Sequence, residues 1–148
     1  MLKLALESLI SRIHSRIGRR NLKLASLVFI IASLFLPVFW GSEIRGIQAL
    51  CFGWICWYTM DVIPALVWIA NPILFLSLII SPKRRTFRLV VITLALLFAA
   101  MGIFITRLPQ DDYIHYSTVL PSFGYIVWII GVLGIFLYHL ERWKSKNA

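Results

Sequence analysis

One carboxylate, Asp61, lies inside the longest apolar run of the chain, residues 47–80. An acidic side chain in a membrane segment is costly, and it usually handles protons or cations or belongs to a structural pair. A span of about 20 residues, counted back from the basic segment that follows the run, ends near Asp61 and places it at the membrane surface. The cations on that side are Arg107 and Arg45, and we expect Asp61 to pair with Arg107 before Arg45.

The pair Asn71 and Pro72 falls near the middle of the same run. Pro72 has no backbone N–H and crowds the carbonyl of Trp68, so this carbonyl and the Asn71 amide both need partners in an apolar core. One hypothesis is a broken helix that lines a substrate or ion site. The other, which we favour, is a kinked helix whose asparagine forms a hydrogen bond with a neighbouring span.

Residues for other kinds of chemistry are sparse. None of His14, His115 and His139 lies deep in an apolar run, which argues against a haem between helices, and His139 is expected at the membrane surface. Cys51 and Cys56 match neither a redox nor a metal-site spacing, and we interpret them as small core residues. No phosphate-binding loop or nucleophile motif is present, so we predict no enzymatic activity and no cofactor.

A polar loop separates the last two apolar runs, within residues 107–121. Its Asp111, Asp112 and His115 are possible ligands of a divalent cation, but such residues in a flexible loop are usually solvated, and we predict no metal site. Aromatic side chains are enriched in protein interfaces, and we expect the loop to contact a protein partner. The candidate partner surface is Tyr113, His115 and Tyr116.

The composition predicts a membrane protein. Of the 148 residues, 60% are hydrophobic and only 14% are charged, and the mean hydropathy is +0.86, well outside the usual range of soluble domains. The net charge of +9 would suit nucleic acid. However, the basic residues form short blocks between apolar runs, which is the pattern of membrane insertion. We therefore predict no nucleic-acid partner.

Four apolar runs predict four transmembrane helices, at about residues 24–42, 61–80, 89–106 and 119–140. Residues 47–60 are expected on the outer face, in a re-entrant segment or in an extension of the second span. Thirteen of the 15 basic residues lie before the first span, between the second and third, or after the fourth. The positive-inside rule then places both termini in the cytoplasm.

The N-terminal segment, residues 1–20, is predicted to form an amphipathic helix. One face carries apolar side chains at helical spacing, namely Leu2, Leu6, Leu9, Ile13 and Ile17. A basic amphipathic helix of this kind lies in the headgroup layer, and docking on a partner protein is the alternative. The predicted fold is thus an all-α membrane protein, with this interfacial helix and a four-transmembrane-helix bundle in residues 21–148.

Small residues recur on the faces of three predicted spans, where they allow close helix packing. They are Ala25, Ser26, Ala32 and Ser33 in the first span, Ala95, Ala99 and Gly102 in the third, and Gly124, Gly131 and Gly134 in the fourth. This pattern predicts a packed bundle and leaves its oligomeric state open.

Three short patterns carry a resemblance: GIQALCFGW at residues 46–54, VWIANP at 67–72 and FGYIVW at 123–128. Together they resemble a group of small, uncharacterised four-span bacterial inner-membrane proteins with Gly-Trp, Ala-Asn-Pro and Gly-Tyr-x-x-Trp segments. The likeness covers roughly residues 36–138. It implies a multi-pass location in the bacterial inner membrane and no catalytic residue.

These observations predict a non-enzymatic protein that acts through protein partners in the bilayer. Its partner is expected to be another membrane protein or a second copy of the chain. The role would be that of an accessory subunit of a membrane complex, or of an immunity-type protein against a pore-forming toxin. The alternative is a small transporter or channel subunit that uses Asp61 and the break at Asn71 and Pro72.

Overall fold

A computed structural model of the chain describes residues 18, 20–42, 44–57, 61–81, 83–109 and 116–147. The predicted amphipathic helix falls almost wholly on residues 1–17, which lie outside this part of the chain, and it stays a prediction. The described part is mostly helical. Its helices are α1 (residues 20–33), α2 (Gly46–Phe52), α3 (Val62–Ile79), α4 (Arg85–Ala100) and α5 (Phe123–Asn147).

Three helical stretches are long and apolar enough to cross a membrane. They are Val62–Ile79, Arg85–Phe104 and Phe123–Ser145, the second being α4 together with the 3₁₀ turn Met101–Phe104. The chain therefore has the predicted character of a helical membrane protein, with three candidate spans among the described residues.

The first predicted span, at about residues 24–42, differs from the helix that the structure contains. α1 ends at residue 33. In the turn after this helix, the backbone N–H groups of Leu34 and Phe35 each donate to the carbonyl three residues earlier, at 3.1 Å. Pro37 explains why α1 ends here. It has no N–H to donate to the carbonyl four residues earlier, and it disfavours a helical conformation in the residue before it.

Four short strands lie in the loops at the end of the bundle where α3 begins, so the all-α prediction is corrected there. β1 (Phe39–Trp40) pairs antiparallel with β4 (Leu120–Pro121), and β2 (Arg107–Pro109) pairs antiparallel with β3 (Tyr116–Thr118). Pairing satisfies backbone N–H and C=O groups that these loops would otherwise leave without partners. We call this the cavity end of the bundle, and the opposite end, where α3 ends and α4 begins, the basic end.

The bundle core joins all four long helices. Its fully buried side chains are Ala70 and Leu74 of α3, Ile92, Ala95 and Ala99 of α4, and Val132 and Ile135 of α5. Leu27 and Ile30 of α1 pack against this cluster. Buried alanines bring α4 close to its neighbours, as the pattern of small residues predicts.

Glycines set the distance between α1 and α5. A Cβ atom added to Gly131 would lie 3.0 Å from the carbonyl oxygen of Ser26, and one added to Gly134 would meet the Ser26 side chain. The hydroxyl of Ser26 donates to the Leu22 carbonyl at 2.6 Å within its own helix. Ser26 is buried whereas Ala25 is exposed, so only part of the predicted small face of α1 is packed.

Candidate binding cavity

A cavity of about 490 Å³ lies at the cavity end, between α1, α3 and α5. The segment Gly46–Trp57, made of α2 and the 3₁₀ turn that follows it, forms one wall, and we call it the wall segment. Strand and loop residues outside the spans complete the lining, among them Phe39, Ile44 and Leu108. The cavity therefore extends from the bundle interior to the loops.

The wall segment is a separate element and not a continuation of α3. Its first residue, Gly46, donates its N–H to the Leu36 carbonyl at 3.0 Å, and Ile47 donates to the Leu34 carbonyl at 2.9 Å. The Gln48 side chain accepts from the backbone N–H of Arg45 at 2.8 Å. The first two bonds join the start of α2 to the turn that follows α1, and the third lies within the start of α2 itself. Among the described residues the wall segment and α3 are separate elements, and the three arrangements predicted for residues 47–60 stay predictions.

Trp68 of α3 holds the other side of the wall segment. Its indole N–H donates to the Leu50 carbonyl at 2.8 Å. Gly53 lies against the same ring, since a Cβ atom added there would be 2.9 Å from the Trp68 Cγ atom. A glycine at this position thus lets the wall segment pack directly on the indole.

The side chain of Asn71 supplies the hydrogen bond that Pro72, having no backbone N–H, cannot make. Its side-chain N–H donates to the Trp68 carbonyl at 3.2 Å, which is the carbonyl that would otherwise bond to the N–H of residue 72. α3 continues across Pro72 as one helix, Val62–Ile79. The favoured hypothesis is therefore corrected in one respect: the asparagine bonds within its own helix and not with a neighbouring span.

The lining of the cavity is largely aromatic and aliphatic. Polar atoms come from Ser33, Gln48, Cys56, Trp68, Asn71 and Tyr125, and the lining includes no acidic or basic side chain among the described residues. Tyr125 already donates its hydroxyl to the Ala99 carbonyl at 2.7 Å. An apolar cavity with a few amide and hydroxyl groups is suited to bind an apolar group by burial.

The cysteines differ from the prediction that both are core residues: Cys51 is exposed and Cys56 is half-buried. Burial, and secondarily the charge of Asp61, raises the pKa of the Cys56 thiol. A thiol with a raised pKa carries less of the reactive thiolate at neutral pH. We expect maleimide to label Cys56 slowly at neutral pH and faster as the pH is raised.

Replacing Trp68 with phenylalanine is expected to speed the labelling of Cys56 by roughly fivefold, because loss of one hydrogen bond of about 1 kcal/mol loosens the wall segment. The measurement is the labelling rate in a Cys51→Ser background. Trp143→Phe is the control, since it removes an indole hydrogen bond to Thr86 at the basic end. Equal rates in the two variants would contradict the role of Trp68.

The remaining predicted polar residues lie around the cavity end. Asp61 directly precedes α3, and its N–H donates to the Cys56 carbonyl at 3.1 Å. Arg107 begins β2, and Arg45 directly precedes α2. These positions are at one end of the bundle, and the ion pair of Asp61 with Arg107 or Arg45 stays a prediction.

The predicted partner surface lies mostly beyond the described residues. Tyr113 and His115 belong to residues 110–115, which are outside them, and Tyr116 begins β3.

Sequence reasoning missed Trp68 and Gln48 as parts of the site. The sequence does carry a signal for Trp68, because it stands four residues before Pro72, but nothing in the pattern relates Trp68 to Gly53 fifteen residues earlier.

Comparison with family models, with curated proteins and with solved structures finds no match to this chain.

Proposed function

We propose that this chain is a non-enzymatic, four-span protein of the bacterial inner membrane that binds a partner membrane protein at the cavity. Both termini are then cytoplasmic, and the cavity end faces outward. The observation that carries the proposal is the apolar cavity of about 490 Å³ between α1, α3 and the wall segment.

Two features favour binding over catalysis. The described part of the lining has no carboxylate, imidazole or amine that could act as a general acid or base. The described residues also contain no group of three or more His, Cys, Asp or Glu side chains that could hold a metal ion. What the cavity offers is apolar surface with amide groups from Gln48 and Asn71.

A protein occupant is favoured because the lining combines membrane and loop residues. Trp128 and Val67 lie on helices long enough to span, whereas Phe39 and Leu108 lie on strands β1 and β2. A partner with an apolar side chain at the edge of its own membrane segment would contact both kinds of wall. Buried apolar anchors of this kind contribute most of the affinity in protein interfaces.

The transporter or channel alternative uses Asp61 and a break of the second span at Asn71 and Pro72. α3 runs through Pro72, and the Asn71 amide donates to the Trp68 carbonyl. Nothing in this arrangement favours a polar path along α3 over the partner-binding proposal.

Filling the cavity is expected to prevent partner binding. We predict that Ala49→Phe, which places a large side chain in the lining of the cavity, removes a stoichiometric partner that co-purifies with the wild-type chain in mild detergent. The expected loss is about tenfold or more in recovered partner, since one obstructed anchor pocket costs at least about 2 kcal/mol.

Ala32→Phe is the matched control, because Ala32 lies on the exposed side of α1, next to the lining residue Ser33. It should retain the partner, and both variants should keep the wild-type melting temperature within a few degrees. Recovery of the partner with Ala49→Phe would refute the cavity as the binding site. A symmetric homo-oligomer around a polar pore would instead support the transporter alternative.

A further inference from the structure

A group of basic side chains converges at the basic end, on the opposite side of the bundle from the cavity. Lys23 comes from α1, Arg88 from α4, and His139 and Arg142 from α5. We call these four residues the basic cluster. The cations of Lys23, Arg88 and Arg142 act electrostatically on His139, so the four side chains share one neighbourhood.

Tyr138 holds two of these cations in place. The Lys23 ammonium lies 5.9 Å from the centre of its ring, and the Arg142 guanidinium lies 5.7 Å from it. Arg142 also donates to the Tyr138 hydroxyl at 2.9 Å. Arg85 donates to the Arg142 carbonyl at 3.2 Å and ties α4 to α5 at the same level. The cations are therefore fixed by the fold and do not simply extend into solvent.

Two nitrogen atoms in the basic cluster are buried and lack a hydrogen-bond partner among the described residues. They are Nε of Arg88 and Nε2 of His139. Arg88 is only 8% exposed and His139 only 5% exposed, although the sequence predicted His139 at the membrane surface. The other end of the Arg88 guanidinium donates through Nη2 to the Ile80 carbonyl. Buried polar groups of this kind are normally hydrogen-bonded.

No acidic side chain among the described residues is buried in the basic cluster to neutralise its positive charge. Asp61 lies at the cavity end, before α3, and Glu141 is exposed on α5. A buried guanidinium without a counter-ion is unfavourable, and an anion that accepts from it offsets that cost. Phosphate oxygens suit a guanidinium especially well, because they accept two parallel hydrogen bonds.

We propose that the basic cluster binds the phosphate group of an anionic membrane lipid. The cluster lies where α3 ends and α4 begins, which is the depth of the headgroups for helices that span a bilayer. Basic pockets between membrane helices are typical sites for anionic headgroups. Free phosphate presents the same oxygen atoms, so the test separates the two sources. The site is distinct from the cavity and does not depend on the function proposed for it.

The test uses the purified full chain in a neutral detergent and follows its melting temperature. We expect phosphatidylglycerol to raise the melting temperature in a saturable manner and phosphatidylcholine to leave it unchanged. Arg88→Gln should weaken this effect about tenfold or more, as expected for loss of a hydrogen bond to a charged group. Arg84→Gln is the matched control, because Arg84 is an exposed cation one helical turn before Arg88, directly ahead of α4.

Arg88 also holds the Ile80 carbonyl, so Lys23→Gln serves as a second variant that keeps this contact. It should weaken the phosphatidylglycerol effect while Arg84→Gln does not. Equal responses of Lys23→Gln and Arg84→Gln, or no response of the wild-type chain, would overturn the proposal. An equal rise in melting temperature with inorganic phosphate would assign the cluster to free phosphate and overturn the lipid as its ligand.

Discussion

Alanine in place of Gly46 is expected to lower the free energy of unfolding by about 1–3 kcal/mol, the usual cost of forcing atoms into a packed site. The added Cβ atom would meet the carbonyl oxygen of Ser33 and lie 2.8 Å from the Cα atom of Leu34. Both are backbone atoms, so they cannot move aside by a change of rotamer. Relief requires α2 to shift away from the end of α1.

That shift would break other contacts of the wall segment. Gly46 donates to the Leu36 carbonyl and Ile47 donates to the Leu34 carbonyl, at 3.0 and 2.9 Å. We therefore expect Gly46→Ala to distort the cavity as well as to destabilise the fold. Partner recovery should fall together with the melting temperature, whereas Ala49→Phe should lower partner recovery alone.

Gly18→Ala is the control for this prediction. Gly18 is also in a helical conformation, and a Cβ atom added there meets no atom of the described residues within 4 Å apart from its own helix backbone. Alanine is favoured over glycine in a helix by roughly 0.5–1 kcal/mol, so this variant should be neutral or slightly more stable. A loss of stability in Gly18→Ala equal to that in Gly46→Ala would show that contact with Ser33 is not the cause.

The positions of the long helices follow from the sequence because burial in a membrane demands long apolar runs. The second predicted span, at about residues 61–80, differs from α3 by a single residue at each end. The third and fourth predicted spans are displaced along the chain. α4 with its 3₁₀ turn runs from Arg85 to Phe104 where 89–106 was predicted, and α5 runs from Phe123 to Asn147 where 119–140 was predicted. A hydropathy pattern marks where lipid contact ends, whereas a helix continues for as long as its backbone hydrogen bonds are made.

The cavity end was harder to predict because its contacts join residues distant in sequence. β1 pairs with β4 across about eighty residues, and strands of two or three residues have no periodic pattern to detect. The end of α1 at residue 33 was foreseeable from Pro37, but the apolar run continues past it, and hydropathy alone extends the helix too far. The same limit applies to the wall segment, whose place depends on Trp68 of another helix.

The sequence singles out Asn71 as a residue whose amide needs a partner in an apolar environment. The sequence also identified the Trp68 carbonyl as the group that Pro72 leaves without its usual donor. The favoured prediction paired the Asn71 amide with a neighbouring span instead, because the pattern does not fix the direction of a side chain, which depends on its rotamer. In the structure the Asn71 amide and the Trp68 carbonyl meet, at 3.2 Å, and this contact yields a quantitative prediction.

Asn71→Leu is expected to cost roughly 1–2 kcal/mol of unfolding free energy in the wild-type chain, because the Trp68 carbonyl then has no donor. In a Pro72→Ala background the cost should be much smaller, since the N–H of residue 72 can bond to that carbonyl. Any gain from replacing an amide by an apolar side chain is common to both backgrounds. The double-mutant cycle cancels it and measures the coupling of Asn71 with Pro72.

Pro64 provides the control for this cycle. It lies in the first turn of α3, where a missing N–H removes no bond within the helix. The cost of Asn71→Leu should therefore be the same in a Pro64→Ala background as in the wild-type chain. Equal costs in the Pro72→Ala and wild-type backgrounds would refute the structural role of Asn71. If Asn71 instead served transport, Asn71→Leu would abolish that activity in every background, including the one in which stability is restored.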